Sequence, residues 1–329
     1  EKGFVGRFRP DALVKSIYRP FSAAWMYYDR HFNENRYQMG RLFPDGGGEN
    51  LAIVVKQGWE GEGFLALMVD RAIDVQSSGG TQCFPLYSYE DIDDAAKQND
   101  LLASQLDRSQ SRRDAITDAA LSHFESAYVG ESISKQDLFY YVYGLLHSPD
   151  YRERYADNLS KELPRIPRVR KATDFWDFSK AGRALAELHL NYESVEKYSL
   201  DIEAKGKLTD GDYRVEKMKF AKKKDPETGK SVNDRSTVIY NSKITLTGIP
   251  EAAWDYVVNG KAALDWVMER QAVRVDKDSG IVNDANDWAI ETMGNPKYPL
   301  ELFQRVVTVS LETQKIVAGL PALDIREDG

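Results

Sequence analysis

Five basic side chains, Lys161, Arg165, Arg168, Arg170 and Lys171, fall within the stretch LSKELPRIPRVRK, beside two prolines and a single acid, Glu162. Guanidinium and ammonium groups donate hydrogen bonds and never accept them, so the chemistry open to them is the holding of an anion. Pro164 and Pro167 fix extended backbone, and arginines projecting from such a strip lose little backbone freedom when they meet a ligand. Alternation along an extended strand predicts Arg168 and Arg170 on one face. The competing reading is a connector whose arginines cap the preceding helix or pair with its acids.

Three other segments have suitable chemistry. RSQSRR carries Arg108, Arg112 and Arg113 just ahead of a helical pattern, and a helix N-terminus is itself an anion site; the alternative is a solvated linker. KMKFAKKKDPETGK carries Lys217, Lys219, Lys222, Lys223 and Lys224 into a polar Pro/Gly hairpin tip. A two-stranded ribbon of this kind can follow a phosphate backbone, although lysines on hairpins also serve solubility and block edge pairing. In SSGGTQ the glycines allow close backbone approach and Thr81 and Gln82 can hydrogen-bond a ligand, where a plain turn is the alternative. VNDAND reads as the cap of a helix starting near Trp288.

The elements that must position these residues are mixed. NLAIVVKQG and GFLALMVDRAIDV are short apolar runs bounded by glycine and read as buried strands. DAITDAALSHFESAY has helical spacing from Asp114. SKQDLFYYVYGLLHS is helical with Ser134 as cap, and SPDYRERYADNLSKEL follows as a helix with Ser148 as N-cap and Pro149 in the first turn. Another amphipathic helix starts near Asp174. After Tyr192 the pattern turns to β, with DYRVEKMKFAKKK and STVIYNSKITLTGI as strands. Helices return in AALDWVMERQAV, NDWAIETM and PLELFQRVVTVSLETQKIVAGL. The class is α+β: a mixed, two-lobed arrangement with a helical middle, a sheet containing a β-hairpin and C-terminal helices.

With 329 residues, 42% of them hydrophobic and 29% charged, the chain has material for a sizeable core. No apolar run approaches the roughly 18 residues of a membrane helix. The start, EKGFVGRFRP, has neither an initiator Met nor a signal-peptide core, and reads as a cut within a longer protein. Cys83 is the single cysteine, which excludes an internal disulfide and fits a cytoplasmic location; with four histidines it cannot build a Cys/His zinc site. The net charge of −8 argues against a nucleic-acid partner, but binding depends on where charges sit. The acids concentrate in EDIDDAAKQND and DKDSGIVNDANDW, away from the bases. There is no Walker A motif, no Gly-x-Gly-x-x-Gly, no Gly-x-Ser-x-Gly elbow and no Asn-Pro-Pro-Tyr type of motif, so no catalytic residue, cofactor-binding residue or metal ligand is assigned.

A set of segments in order, from Ile17 to Pro321, resembles the C-terminal specificity domain of Type ISP restriction-modification enzymes. They are IYRPFSAAWMYYDRHF, TQCFPLY, DLFYYVYGLLHSPDYRERYADNLSKELPRIP, FSKAGRALAELHLNYE, STVIYNSKITLTGIP, DYVVNGKAALDWVMERQ, SGIVNDANDW and LFQRVVTVSLETQKIVAGLP. These enzymes join nuclease, helicase-like translocase, adenine methyltransferase and recognition parts in one chain.

The resemblance implies a non-catalytic domain that binds a short, asymmetric duplex DNA target and presents adenine to an adjacent N6-adenine methyltransferase. It further implies that residues 1–50 leave that methyltransferase, with Trp25, Tyr27 and Tyr28 docking on it. Residues 51–130 then form an α/β lobe and 131–329 a helical and β-hairpin lobe. S-adenosylmethionine, ATP and magnesium would belong to the parent's other parts. Arg165, Arg168, Arg170, Lys171, Arg108, Arg112, Arg113, the five hairpin lysines, Thr81 and Gln82 become the candidate DNA contacts. Two rivals stand beside this reading: a coupling domain that docks proteins without reading bases, and a hydrolase using the acids of EDIDD or NDAND.

Overall fold

A computed structural model of the chain describes residues 7–29, 32–33, 37–44, 46–57, 63–74, 80–89 and 112–326. The chain divides into two compact units, one of residues 1–19, 23–190 and 319–329, the other of 20–22 and 191–318. The boundary expected near residue 130 lies inside the first unit. Phe124 and Tyr128, before it, pack on Phe175, after it, with ring centroids 6.1 and 5.3 Å apart, so one aromatic core spans that point.

The first unit opens with a hairpin, β1 (Leu13–Arg19) and β2 (Ser22–Tyr27), followed by the helical turn α1 (Met39–Leu42). Its main sheet is antiparallel, in the order β4 (Leu65–Arg71), β3 (Gly47–Lys56), β5 (Gln82–Pro85). Strand β3 is covered on both faces, which is why it reads as a continuous apolar run. Ala52 and Val54 join Leu42, Phe43, Val69 and Ile73 on one side. Ile53 and Val55 face a space lined by Phe139, Val142 and Leu146 on the other. A short pair, β6 (Tyr87–Tyr89) and β7 (Arg112–Asp114), completes the β structure of this unit.

Five helices follow: α2 (Asp118–Glu125), α3 (Lys135–His147), α4 (Pro149–Arg154), α5 (Ala156–Leu159) and α6 (Ala172–Leu190). Ser134 and Asp137 form the capping box that starts α3, and Ser148 with Pro149 starts α4. The expected single helix after Ser148 breaks at Tyr155 into α4 and α5. Helices α3 and α6 cross at backbone contact. A Cβ on Gly144 would overlap the carbonyl of Phe178, and one on Gly182 the carbonyl of Tyr140. Close approach brings Arg183 to 2.6 Å from Asp137 and lets the Ser179 hydroxyl donate to the Asp137 carbonyl.

The crossing buries a polar node. The Tyr143 hydroxyl accepts from the Met68 N–H of β4 and shares a hydrogen bond of 2.7 Å with Nδ1 of His189. Nδ1 of His147 donates to the Tyr143 carbonyl, which leaves its Nε2 as a bare acceptor in the core. Burial holds both imidazoles neutral, with His147 far below the usual range and His189 down at about 3.

The second unit holds an antiparallel sheet in the order β8 (Asp201–Ala204), β11 (Ile244–Thr247), β10 (Ser231–Ile239), β9 (Lys219–Lys224). Two short strands, β12 (Val257–Val258) and β13 (Lys261–Ala262), lead into α7 (Ala263–Arg270). A second hairpin, β14 (Val273–Val275) with β15 (Val282–Asp284), and the long helix α8 (Tyr298–Ala318) follow. Apolar residues Leu302, Phe303, Val306, Val307 and Val309 are fully buried, the stripe expected of a helix packed on a core. Phe220 of β9 meets Trp254 at 5.0 Å, and Trp254 meets Phe303 of α8. The strand expected from Asp212 starts later, at Lys219, because Asp210–Tyr213 forms a 3-10 turn closed by Thr209 and Asp212.

Two predictions follow from the first unit. Gly144→Ala and Gly182→Ala should each destabilise it by about 3 kcal/mol, read as a fall of roughly 6–12 °C in its melting temperature. Its stability should also depend on pH through the two histidines, whose folded-state pKa values lie below the unfolded value of about 6.5. The unfolded chain then binds the protons first. Stability is full above about pH 6.5 and falls as pH drops toward 5, by about 1.4 kcal/mol per unit for each histidine. Urea unfolding of the wild type and of His147→Gln across that window should show the steeper slope in the wild type.

Candidate nucleic-acid interface

The proline strip is clamped rather than displayed. Tyr151, Tyr141 and Tyr128 donate to the carbonyls of Arg165, Pro167 and Val169, each at 2.7 Å, so every second carbonyl is taken by a tyrosine hydroxyl. Along its other side the strip meets the chain's end, with Arg170 N–H donating to Asp324 and Arg326 N–H to Arg168. Held on both sides, it behaves as an interior strand. Arg168 is 6% exposed and donates to the carbonyl of His123, closing the end of α2. Arg168 is thus a buried structural residue and is not displayed beside Arg170. Arg170 is exposed and paired with Asp324 at 3.0 Å, Arg165 is exposed and paired with Glu162 at 3.0 Å, and Lys171 is exposed.

Arg108 lies outside the described residues. Arg112 and Arg113 are exposed on β7, and the Arg112 guanidinium lies over the Tyr87 ring at 4.4 Å. The helix start beyond them is already satisfied, because the Thr117 hydroxyl accepts from Ala120 N–H and Lys135 holds Asp118 at 2.6 Å. Thr81 is half-buried and Gln82 exposed at the start of β5. Tyr141 and Tyr143 are fully buried, while Trp25 is 51% exposed on β2.

The lysine hairpin stands out from its sheet. Between Asp234 and Val238 the pairing of β10 with β9 shifts register at an irregularity, and beyond it the two strands continue as a ribbon. The tip is closed by Asp225, whose carboxylate accepts from the N–H groups of Glu227 and Thr228 and from the Thr228 hydroxyl. Those bonds, the backbone one from Thr228 first, hold its pKa below the usual range. Gly229 takes the left-handed conformation there, at φ 67°. The tip of the second hairpin repeats this design with Asp276, Ser279 and Gly280.

Register sorts the ribbon's side chains. Lys222 lies opposite Asn233 and Lys224 opposite Ser231, all four exposed on one face. Lys223 belongs to the other face, where it is paired with Asp234 at 3.2 Å. At the ribbon's base a groove of about 490 Å³ brings Lys217 and Lys219 together with Arg214, Lys243, Asn241 and Ser242. Arg214 is tied to Asp284 and Lys243 to Asp212, whose carboxyl is held down at about 2, chiefly by the Lys243 bond. Lys217 and Lys219 are the exposed cations left on this wall. Arg214, Lys243, Asn233 and Ser231 were missed by sequence reasoning; the hairpin's register, counted back from its tip, is the signal that finds Asn233 and Ser231. Asp284 accepts from Asn286 N–H, so VNDAND does cap a helical turn, starting at Ala285.

Among the described residues no group of three or more His, Cys, Asp or Glu is placed to hold a metal. A cavity of about 310 Å³ in the first unit is lined by side chains such as Ile53, Val55, Phe139 and Leu146, with no charged group to meet a phosphate or carboxylate. Among the described residues no helix is long and apolar enough to cross a membrane.

Comparison with known proteins supplies the family. The sequence profile of the Type ISP C-terminal specificity domain matches residues 3–302. None of the curated proteins matches. The chain is similar to part of the ATP-dependent Type ISP restriction-modification enzyme LlaBIII bound to DNA, at 33% identity and a TM-score of 0.80, over 98% of this chain and 19% of that one. A nuclease-deletion mutant of the Type ISP enzyme LlaGI, in complex with a DNA substrate mimic, matches at 34% identity and TM-score 0.76, over 99% and 26%. The DrdV–DNA complex matches at 34% identity and TM-score 0.75, over 95% and 28%. The chain thus spans between 19% and 28% of the length of these relatives. With a profile match over nearly its whole length and this likeness in sequence and fold, the chain belongs to the Type ISP C-terminal specificity domain family.

Proposed function

We propose that this chain is the part of a restriction-modification enzyme that binds a short, asymmetric duplex DNA target and presents adenine to an N6-adenine methyltransferase in the same parent chain. The observation that carries the reading is the lysine ribbon, a protruding two-stranded element with one face of hydrogen-bond donors, in a family whose related enzymes LlaBIII and LlaGI are bound to DNA or its mimic. A two-stranded ribbon fits the major groove, and lysines at its base can hold the flanking phosphates. The acidic total charge is compatible with this, because two acids of the ribbon are engaged within it: Asp225 closes the tip and Asp234 holds Lys223. Phosphate contacts position the domain, and base contacts select the sequence. The parent's methylation and ATP-driven chemistry, with S-adenosylmethionine, ATP and magnesium, belongs to parts outside this chain.

Duplex binding by the 329-residue chain, followed by fluorescence anisotropy across a salt series, tests the reading. Each phosphate contact contributes about 0.9 to the salt slope, so the combined change of Lys217, Lys219 and Lys224 to alanine should flatten it by about 2 to 3. Arg168→Ala should lower the melting temperature and leave that slope alone. Absence of duplex binding at low salt would leave the protein-coupling reading in its place.

A further inference from the structure

We infer that the Lys222–Asn233 rung of the ribbon reads guanine; the inference rests on the DNA-binding reading above and adds the identity of one contact. An exposed asparagine facing a major groove has a natural preference for adenine, because its carbonyl can accept from the adenine amine while its NH2 donates to the ring nitrogen. Here that carbonyl already accepts from a cation, which stands beside it and disfavours the approach of an amine donor. Lys222 Nζ lies 2.6 Å from Asn233 Oδ1, and an ammonium can only donate, so the oxygen must turn to the lysine and the Nδ2 group points away as a donor. The two residues are direct cross-strand partners, which fixes this arrangement by backbone register as well as by the side chains.

The rung therefore presents N–H groups from the ammonium and from the amide, with its one acceptor oxygen already engaged by the lysine. Guanine is the base whose major-groove edge offers two acceptors side by side, N7 and O6; adenine offers one acceptor beside a donor, and cytosine a donor. The next rung outward, Lys224 with Ser231, places a second cation on the same face, beside a hydroxyl that can donate or accept. On the opposite face the cation Lys223 is neutralised by Asp234, so the ribbon has one reading side.

The test uses the full chain and a duplex pool with a randomised stretch, sequenced after selection by binding. Wild-type selection should return a position fixed as G. Lys222→Ala frees the Asn233 carbonyl, and preference at that position should shift from G toward A. Asn233→Asp removes the outward amide donor and should lower selection for G there by about ten-fold. Lys223→Ala should leave the position unchanged. Substituting 7-deazaguanine at the selected position, which deletes N7, should weaken wild-type binding and have little effect on the Lys222 and Asn233 variants. A uniform loss of affinity across all sequences, with the base preference unmoved, would show that the rung holds phosphate and would overturn the guanine assignment while the DNA-binding reading stands. Failure of the wild type to bind any duplex would overturn both. Thermal melts matched between variants and wild type exclude unfolding as a cause.

Discussion

The first unit depends on two helices meeting without side chains between them. Gly144 and Gly182 let α3 and α6 touch at the backbone, and that contact sets where every tyrosine of α3 ends up. Tyr141 reaches the carbonyl of Pro167, while Tyr143 reaches both the sheet at Met68 and the helix α6 at His189. A methyl group at either glycine would push the helices apart. It would break polar contacts in the core that have no water to replace them, which costs more than the lost van der Waals contact alone.

The strip from Leu159 to Lys171 shows how such a core recruits a surface-looking sequence. Its prolines remove two backbone donors, leaving carbonyls that still need partners, and three tyrosine hydroxyls supply them. Residues 324–326 pair with the free edge. The basic composition of the strip is thus shared between a buried arginine that finishes α2 and exposed arginines balanced by local acids, Glu162 and Asp324. In the second unit the division is different. There the lysines sit on a ribbon that leaves the sheet, and Lys223 is matched by an acid on its own face.

Local signals were legible in the sequence. Ser134 with Asp137, Ser148 with Pro149, the apolar run of β3 and the DPETGK tip each declare their element within a few residues, because caps and turns are satisfied by near neighbours. Contacts between distant segments were not. No spacing rule tells that Gly144 meets residues near Gly182, or that Tyr128, Tyr141 and Tyr151 will converge on one strip; those facts arise only when elements pack. The burial of Arg168 is such a fact. The ribbon lay between the two cases: its lysines were evident, whereas the pairing of Lys222 with Asn233 required a register fixed by the tip and shifted by the irregularity below it.

The register shift between Asp234 and Val238 also separates two histories that a lineage could follow independently. Below it, Val238 and Phe220 anchor the sheet to Trp254 and the core; above it, the ribbon ends in a turn that is self-sufficient because Asp225 closes it from within. A pair of residues inserted on each strand above the shift would lengthen the ribbon by about 6.6 Å, close to the rise of two base pairs, and would leave the core packing as it is. The length of the ribbon can then change in discrete steps while the scaffold stays constant.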